Sequence, residues 1–306
     1  MDLGRVSPLQ SVYTDEPILE FSPKETSSFG PSPVSVAVVV YDTPVSELRE
    51  CLISILESVA FYLHEIAREE RISITIVDNG GPQLERNQFE SCLRQYSSVG
   101  DVTLNIISGH GNIGYGSAQN LAFSRQQGGV HIFMNPDVRL APDALYQGVR
   151  FLTQHEDVVL ASPACTGADK EPSYLCKRYP SLAILFLRGF GPSNVKRIYK
   201  AGLSRYEMRD LASDQPYIGV PIVSGCFMMC KDAAFDLVSG FDSKFFLYFE
   251  DFDLSLRLNR IGKLAFVPAI RITHTGGNAA RKGIKHILLF LRSAIKFFNI
   301  HGWKWV

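Results

Sequence analysis

The chain has 306 residues, 46% of them hydrophobic, with a mean hydropathy of +0.04, which excludes a disordered or fibrous polymer and allows a large core. Its 31 Lys and Arg balance 31 Asp and Glu, so there is no global electrostatic case for nucleic-acid binding. Six cysteines without a C-x-x-C pair argue against a structural zinc or a redox dithiol and read as core residues of a reducing compartment.

Residues 1–33 carry Pro8, Pro17, Pro23, Pro31 and Pro33 among Ser and Thr, the composition of an extended or weakly ordered N-terminal extension. The opening MDLGRVSPLQSVYTDEP has no apolar run behind a basic end, and no stretch reaches the roughly 18 to 20 apolar residues of a spanning helix. A cytoplasmic protein is therefore expected. Val34 to Tyr41 is a continuous β-branched apolar run, as in a strand buried on both faces of a parallel sheet. A helix should follow, with Pro44 near its start and Leu48, Leu52, Ile55, Leu56 and Val59 on its inner side. Further strands are predicted at Ile72 to Val77, Val102 to Ile107 and Val130 to Met134, with helices near Leu84 to Tyr96 and Ser117 to Gln126. Such alternation predicts right-handed βαβ units in an α/β, doubly wound, mostly parallel sheet, whose ligands gather at the carboxyl ends of the strands.

Those ends hold the first candidate site residues. Tyr41 and Asp42 close the first strand, Asp78-Asn79-Gly80 the second, the loop Gly109 to Gly116 the third, and Asn135-Pro136-Asp137 the fourth. Each is ordinary turn chemistry alone; together they mark a site. Asp78 can accept from the imide N–H of a pyrimidine base, and Asp137 can offer a hard oxygen to Mg2+ or Mn2+. Gly109 to Gly114 also fits G-x-G-x-x-G after a strand, the signature of a dinucleotide-dependent oxidoreductase. That fingerprint belongs to the first strand–helix unit, however, and this is the third.

The densest chemistry lies between Ser239 and His274. Glu250, Asp251 and Asp253 stand at a helix start among Phe245, Phe246, Tyr248, Phe249 and Phe252. Desolvation and like-charge crowding would raise a carboxyl there toward the range of a general base, although acids also serve simply as first-turn residues. Leu254, Leu258 and Ile261 form a buried stripe that Gly262 ends. His274 closes a final strand; alone it would be structural, but it gains meaning beside the cation that Asp137 suggests.

The order VDNG (77–80), GNIGYGSAQN (111–120), NPD (135–137), SGCFMM (224–229) and GFDSKFFLYFEDFDLSLRL (240–258), followed by a strand ending in His274, resembles the inverting GT-A glycosyltransferases of family 2, in the bacterial rhamnosyltransferase-like branch. The resemblance covers about residues 34–305. It implies a GT-A fold with a nucleotide-sugar-binding half (34–155) and an acceptor-binding, catalytic half (156–275). It also implies metal-dependent, inverting transfer of one sugar, such as rhamnose from dTDP-L-rhamnose, to a glycan or lipid-linked glycan of the bacterial cell surface. By position, Asp251 is the implied catalytic base, with Glu250 supporting it. Tyr41, Asp42, Asp78, Asn112, Gly114, Gly116 and Asn135 are the implied donor residues, and Asp137 and His274 the implied ligands of Mg2+ or Mn2+. Asn135 replaces the first acid of the family's D-x-D motif. A nucleotide-sugar-binding protein without turnover is the alternative that this change supports.

Neither a Q-x-x-R-W motif nor membrane spans occur, so one sugar per encounter is expected rather than a polymer. The segment Cys176 to Phe190 reads equally as an acceptor loop or a core helix. In 276–306 Ile287, Phe290, Leu291, Ala294, Ile295 and Phe298 recur at helical spacing, and no acid occurs among the basic residues. This helix either docks on its own domain or lies at an anionic bilayer surface on the inner face of the cell membrane.

Overall fold

The computed structural model describes residues 34–67, 70–80, 86–89, 102–123, 129–211, 213–276 and 283–306. The N-terminal extension and most of the helix expected at Leu84 to Tyr96 lie outside the described residues. The first βαβ units are β1 (Val34–Val40), α1 (Val45–Ile66), β2 (Ile72–Asp78), β3 (Val102–Ile107), α2 (Tyr115–Phe123) and β4 (Val130–Met134). Every residue of β1 is buried, which is why its sequence shows no alternation. Helix α1 starts behind Pro44 and buries Leu48, Leu52, Ile55, Leu56 and Val59, as its spacing predicts.

The chain continues through β5 (Val138–Leu140), α3 (Ala144–Gln154), the long β6 (Val158–Gly167), β7 (Pro172–Ser173) and β8 (Cys176–Lys177). Three helices follow: α4 (Leu182–Phe190), α5 (Ser193–Ile198) and α6 (Lys200–Tyr206). Then come β9 (Tyr217–Ile218), β10 (Ile222–Val223), β11 (Phe227–Lys231), α7 (Asp232–Leu237), α8 (Glu250–Leu258), β12 (Lys263–His274) and α9 (Ile284–His301).

The main sheet runs β3-β2-β1-β4-β11-β6-β12-β5. Strands β3, β2, β1 and β4 are mutually parallel, as expected for a doubly wound half. The next strand, β11, is antiparallel to both β4 and β6, and β12 is parallel to β6. The sheet is thus mixed, and its middle is filled by a strand that arrives late in the chain. In β12 the register against β6 shifts between Val267 and Arg271, across Pro268, which has no N–H to give to a ladder. Beyond that shift β12 pairs antiparallel with β5, His274 opposite Val138, so Asp137 is delivered beside His274.

Two packing features position the rest of the site. A separate two-stranded ribbon pairs β8 with β10, Lys177 opposite Ile222, and carries Lys177 alongside the loop that precedes β11. Helix α9 buries Ser293, Ala294, Phe297 and Phe298 in an aromatic cluster with Leu185, Tyr206, Phe245 and Phe249. The C-terminal helix is therefore part of the core that backs α8. The segment read as either loop or helix forms α4, and Leu185 places it in the same cluster.

Candidate active site

At the carboxyl ends of β1 and β2 the backbone closes on itself. Asn79 N–H donates to Val40 O at 2.8 Å and Asp42 N–H to Gly80 O at 3.1 Å. Asp78 is buried and its Oδ1 accepts from Gly80 N–H at 3.2 Å. Gly80 has φ +121°, and a Cβ there would stand 3.3 Å from the Tyr41 ring, so only glycine fits this turn without strain. Tyr41 covers Gly80 with one face and is otherwise exposed.

Asn79, ordinary turn chemistry by sequence alone, is the residue that fixes the next loop. Its Nδ2 donates to Asn112 Oδ1 (3.1 Å) and Gly114 O (3.3 Å), and its Oδ1 accepts from Ile113 N–H (3.0 Å). Asn112 Oδ1 also accepts from Gly114 N–H at 3.0 Å. Gly114 has φ +87°, and a Cβ would fall 2.3 Å from the Phe246 carbonyl oxygen; one on Gly116 would fall 2.9 Å from Phe241 Cβ. Tyr115 N–H donates to the same Phe246 oxygen at 3.1 Å. The glycines let the loop that leads into α8 approach α2. The third glycine of the G-x-G-x-x-G match thus serves close packing within the chain.

Asn135 caps the turn after β4: its N–H donates to Cys226 O at 2.9 Å and its carbonyl accepts from Val138 N–H at 3.3 Å. Asp137 Oδ2 lies 3.2 Å from His274 Nε2. Thr275 holds the Asp137 carbonyl through its N–H (3.0 Å) and Oγ1 (3.1 Å). A Cβ on Gly276 would sit 1.8 Å from Asp137 Oδ2, so the carboxylate fills a cradle that only glycine leaves open. One carboxylate and one imidazole make a two-ligand set, and no group of three His, Cys, Asp or Glu able to hold a metal occurs among the described residues.

The three acids of α8 separate into distinct roles. Asp251 accepts from Gly225 N–H (Oδ2, 2.8 Å) and from Phe252 N–H (Oδ1, 3.0 Å). Burial pushes its carboxyl up to about 6 even against those donors, which suits a base that must be ionised near neutrality. Glu250 is buried, and its Oε2 has no hydrogen-bond partner among the described residues. Burial first, and then the Asp251 charge, raise it well above the usual carboxylate range, so it is the protonated member of the pair. Asp253 faces away: Arg257 Nε donates to Oδ2 at 2.8 Å and His301 Nε2 lies 2.8 Å from Oδ1. Burial opposes its ionisation, but His301 and Arg257 outweigh it and hold the carboxyl below its ordinary value. It is a structural anchor between α8 and α9.

The backbone before α8 is strained. Tyr248 (φ +69°) and Phe249 (φ +65°) are consecutive left-handed residues, each costing about 1–3 kcal/mol unless its surroundings enforce it. The enforcement is aromatic: the Phe249 ring packs on Phe252, Phe290 and Phe297 at 5.1–5.2 Å, and Tyr248 Oη lies 2.9 Å from His286 Nδ1. This turn aims Glu250 and Asp251 into a cleft of about 280 Å³ whose walls include both acids, His274, Gly276, Lys177, Arg188 and Tyr206.

The structure therefore brings Asp251, Glu250 and His274 into one cleft, with Asp137 in contact through His274. It gathers Tyr41, Asp42, Asp78 and Asn112 around Gly80 and Asn79 at the neighbouring strand ends. Several cleft residues escaped the sequence reading. Gly225 gives Asp251 its N–H, and its own carbonyl accepts from Tyr115 Oη at 2.6 Å. The SGC tripeptide before a hydrophobic strand was its visible signal. Lys177 and Arg188 lie in the segment Cys176 to Phe190, whose mixed basic and apolar residues fit an acceptor loop or a core helix without singling either out, and Tyr206 has no signal, because β8, α4 and α6 meet the cleft only through tertiary packing. Cys51, Cys165, Cys176, Cys226 and Cys230 are free and buried, and burial pushes each thiol up, as inert core residues require.

A family model described as Glycosyl transferase family 2 matches residues 35–238. The chain is 27% identical over 150 residues to the rhamnosyltransferase WbbL of Escherichia coli (strain K12), covering 47% of this chain and 51% of that protein. It therefore spans about half the length of that relative. It is 24% identical over 229 residues to the N-acetylglucosaminyl-diphospho-decaprenol L-rhamnosyltransferase of Mycobacterium tuberculosis (strain ATCC 25618 / H37Rv), covering 68% of each. A crystal structure of GalNAc-T7 with UDP, GalNAc and Mn2+ superposes with a TM-score of 0.59 at 15% identity, over 88% of this chain and 49% of that one. The mannosyltransferase PcManGT from Pyrobaculum calidifontis, in complex with GDP-Man and Mn2+, gives 0.51 at 16% identity, over 92% and 68%. These structural likenesses are of fold, and the fold is GT-A.

Proposed function

The chain belongs to glycosyl transferase family 2, and on that premise we propose that it is an inverting glycosyltransferase moving one sugar from a nucleotide-sugar donor to a glycan acceptor. The observation that carries this reading is the shared cleft: Asp251, fixed by two backbone N–H groups and titrating near 6, looks onto the same space as His274, the partner of Asp137. A single displacement needs a base on one side of the anomeric carbon and charge stabilisation of the diphosphate on the other.

In this mechanism the acceptor hydroxyl gives its proton to Asp251 as its oxygen bonds to the anomeric carbon. The bond from that carbon to the diphosphate oxygen breaks, and the nucleotide diphosphate departs with the electron pair. Attack opposite to departure inverts the centre. Gly225 and Phe252 N–H hold the carboxylate in place, and protonated Glu250 donates a hydrogen bond to an acceptor oxygen. On the donor side the exposed face of Tyr41 stacks on the base, Asp78 reads its imide edge, and Asp42 and Asn112 border the sugar and phosphates. Asp137 and His274 would hold Mg2+ or Mn2+. A hard carboxylate oxygen beside an imidazole nitrogen is a donor set that would suit Mn2+ better than Mg2+, and Asn135, in place of a second acid, adds no carboxylate to it. A bound cation would neutralise charge on the leaving group.

The curated relatives named as rhamnosyltransferases support rhamnose from dTDP-L-rhamnose as the donor sugar and a lipid-linked or cell-surface glycan as the acceptor. Helix α9 supports a membrane-proximal site of action. Opposite its docked face, Ile284, Leu288, Leu291 and Ile295 form a second apolar stripe, exposed by 75, 61, 47 and 53%. Lys285 and Arg292 flank it, and no acid lies between Thr275 and Val306. This combination fits an anionic bilayer surface; no helix among the described residues is long and apolar enough to cross a membrane.

The test is thermal-shift screening of the full chain against nucleotide diphosphates and nucleotide sugars with and without Mn2+, followed by a transfer assay with the best donor. A rise in melting temperature for the dTDP series that depends on Mn2+, with sugar transfer to an acceptor, is expected. Binding without transfer or donor hydrolysis would favour a carrier without turnover, and no response to any nucleotide would end the reading.

A further inference from the structure

Two buried polar groups on the acceptor side of the cleft, Lys177 and Tyr206, have unmet bonding capacity, and the Arg188 guanidinium lines the same cleft. Lys177 is 4% exposed, yet its ammonium donates only to the Tyr174 carbonyl and lies 5.9 Å over the Tyr206 ring. No carboxylate stands within ion-pair distance of it among the described residues. The Tyr206 hydroxyl is buried and has no hydrogen-bond partner among the described residues. Arg188, about half exposed, donates to Glu207 Oε1 at 3.2 Å, and Arg209 donates to the other oxygen of that carboxylate at 2.9 Å. All three residues line the cleft beside Asp251.

A buried ammonium without a direct ion pair and a buried hydroxyl without a partner are each costly to fold. They occur together, on two separate elements (β8 and α6), around one opening that Arg188 of α4 also lines. Burial lowers Lys177 to about 8, which still leaves it largely charged at neutral pH, and burial pushes the Tyr206 hydroxyl up, so it stays a donor. A group that accepts hydrogen bonds at several oxygens and carries negative charge would satisfy both at once and meet the Arg188 guanidinium beside them. Phosphate esters have that chemistry.

We propose that Lys177, Arg188 and the Tyr206 hydroxyl form an anion subsite that holds a phosphate or diphosphate ester carried by the acceptor, next to the hydroxyl that Asp251 deprotonates. The proposal rests on the reading of Asp251 as the base only for the word acceptor; the anion subsite itself is a matter of binding. It also gives the enzyme a means of choosing its acceptor: the same sugar without the phosphate leaves a buried cation unpaired and is rejected on that account.

Calorimetric titration of the full chain with inorganic pyrophosphate, at low salt and in EDTA, isolates this subsite, because without a cation the diphosphate has no bridge to Asp137 and His274. The parent should bind in the millimolar range or better. Lys177→Met should weaken binding about tenfold or more and Tyr206→Phe about three- to tenfold. Lys177→Arg, which keeps the charge, should retain most of the affinity, and Asp137→Ala should bind as the parent does. Tyr206→Phe should not lower the melting temperature, since it removes a buried hydroxyl that the fold leaves without a partner. Pyrophosphate binding that is undetectable in the parent, unchanged in both Lys177→Met and Tyr206→Phe, or lost instead in Asp137→Ala would overturn the assignment. Failure of Asp251 as the base would change transfer and leave this titration as it is, so the two ideas stand or fall separately.

Discussion

Replacing Asp251 with Asn tests the chemistry most directly, because the structure allows the loss of basicity to be separated from the loss of fold. General-base catalysis contributes about 10²- to 10⁴-fold, or roughly 2.7–5.4 kcal/mol of barrier. The substitution is not innocent structurally. Asp251 accepts N–H groups on both oxygens, from Gly225 at 2.8 Å and Phe252 at 3.0 Å. An amide oxygen can take one of these and must set its own NH2 against the other, at about 1–3 kcal/mol. Against this, Asn removes a buried carboxylate whose ionisation the fold opposes. The two terms are of similar size, so stability should change by no more than about 2 kcal/mol while kcat falls at least 100-fold. Donor affinity should hold. In the parent, kcat/KM should climb with pH up to about 6 and level off above it, because the base works only when deprotonated; the residual activity of Asp251→Asn should lack that rise. Glu250→Gln, which imitates the protonated acid, should stay within a few-fold of the parent. The assays are nucleotide release and product formation across pH 4.5–8.5 with denaturation curves in parallel. Full activity in Asp251→Asn, or loss in Glu250→Gln alone, would refute the assignment of roles.

Asp253→Ala should lower stability by about 3–5 kcal/mol, by leaving the Arg257 charge short of its buried partner, with kcat per folded molecule nearly unchanged; chemical denaturation measures it. Asp253 titrates below its unfolded value, so its stabilisation is complete above about pH 4 and is lost as pH falls through the folded value, and Asp253→Asn should flatten that acid limb. Gly114→Ala puts a methyl 2.3 Å from the Phe246 oxygen at φ +87° and should cost more than Gly109→Ala, where φ is +87° but the space is open; equal melting temperatures would disprove the tight approach. Asp137→Ala and His274→Ala should weaken nucleotide binding in Mn2+ and blunt its response to chelator, whereas Asp78→Ala should weaken it with or without metal; parental calorimetry for all three would remove the donor-site map. Leu288→Ser with Leu291→Ser, on the outer stripe of α9, should abolish low-salt sedimentation with anionic liposomes without unfolding the chain, and unchanged sedimentation would place the contact elsewhere.

Local pattern determined a good deal by itself. The β-branched runs of β1, β2, β3 and β4, the inner stripe of α1 and the order of the strand-end motifs depend only on the period of side chains along a strand or helix, so they survive without knowledge of neighbours. The acid block at 250–253 was visible for the same reason. Its meaning was not. Asp251 and Asp253 are two residues apart, yet one is raised by burial against a cleft and the other is held down by His301, 48 residues away. The antiparallel entry of β11 between β4 and β6, and the arrival of Lys177 at the cleft through a two-residue ribbon, are equally non-local. So is the division of α9 into two apolar faces: Leu291 and Ile295, which spacing puts on one stripe with Ala294 and Phe298, are exposed, while Ser293, Ala294, Phe297 and Phe298 are buried. A helix with apolar residues all round gives no sequence signal for which side will meet the core. Ionisation state, the approach of Gly114 to Phe246 and the pairing of Asp137 with His274 depend on distances across the chain, and only tertiary packing sets those.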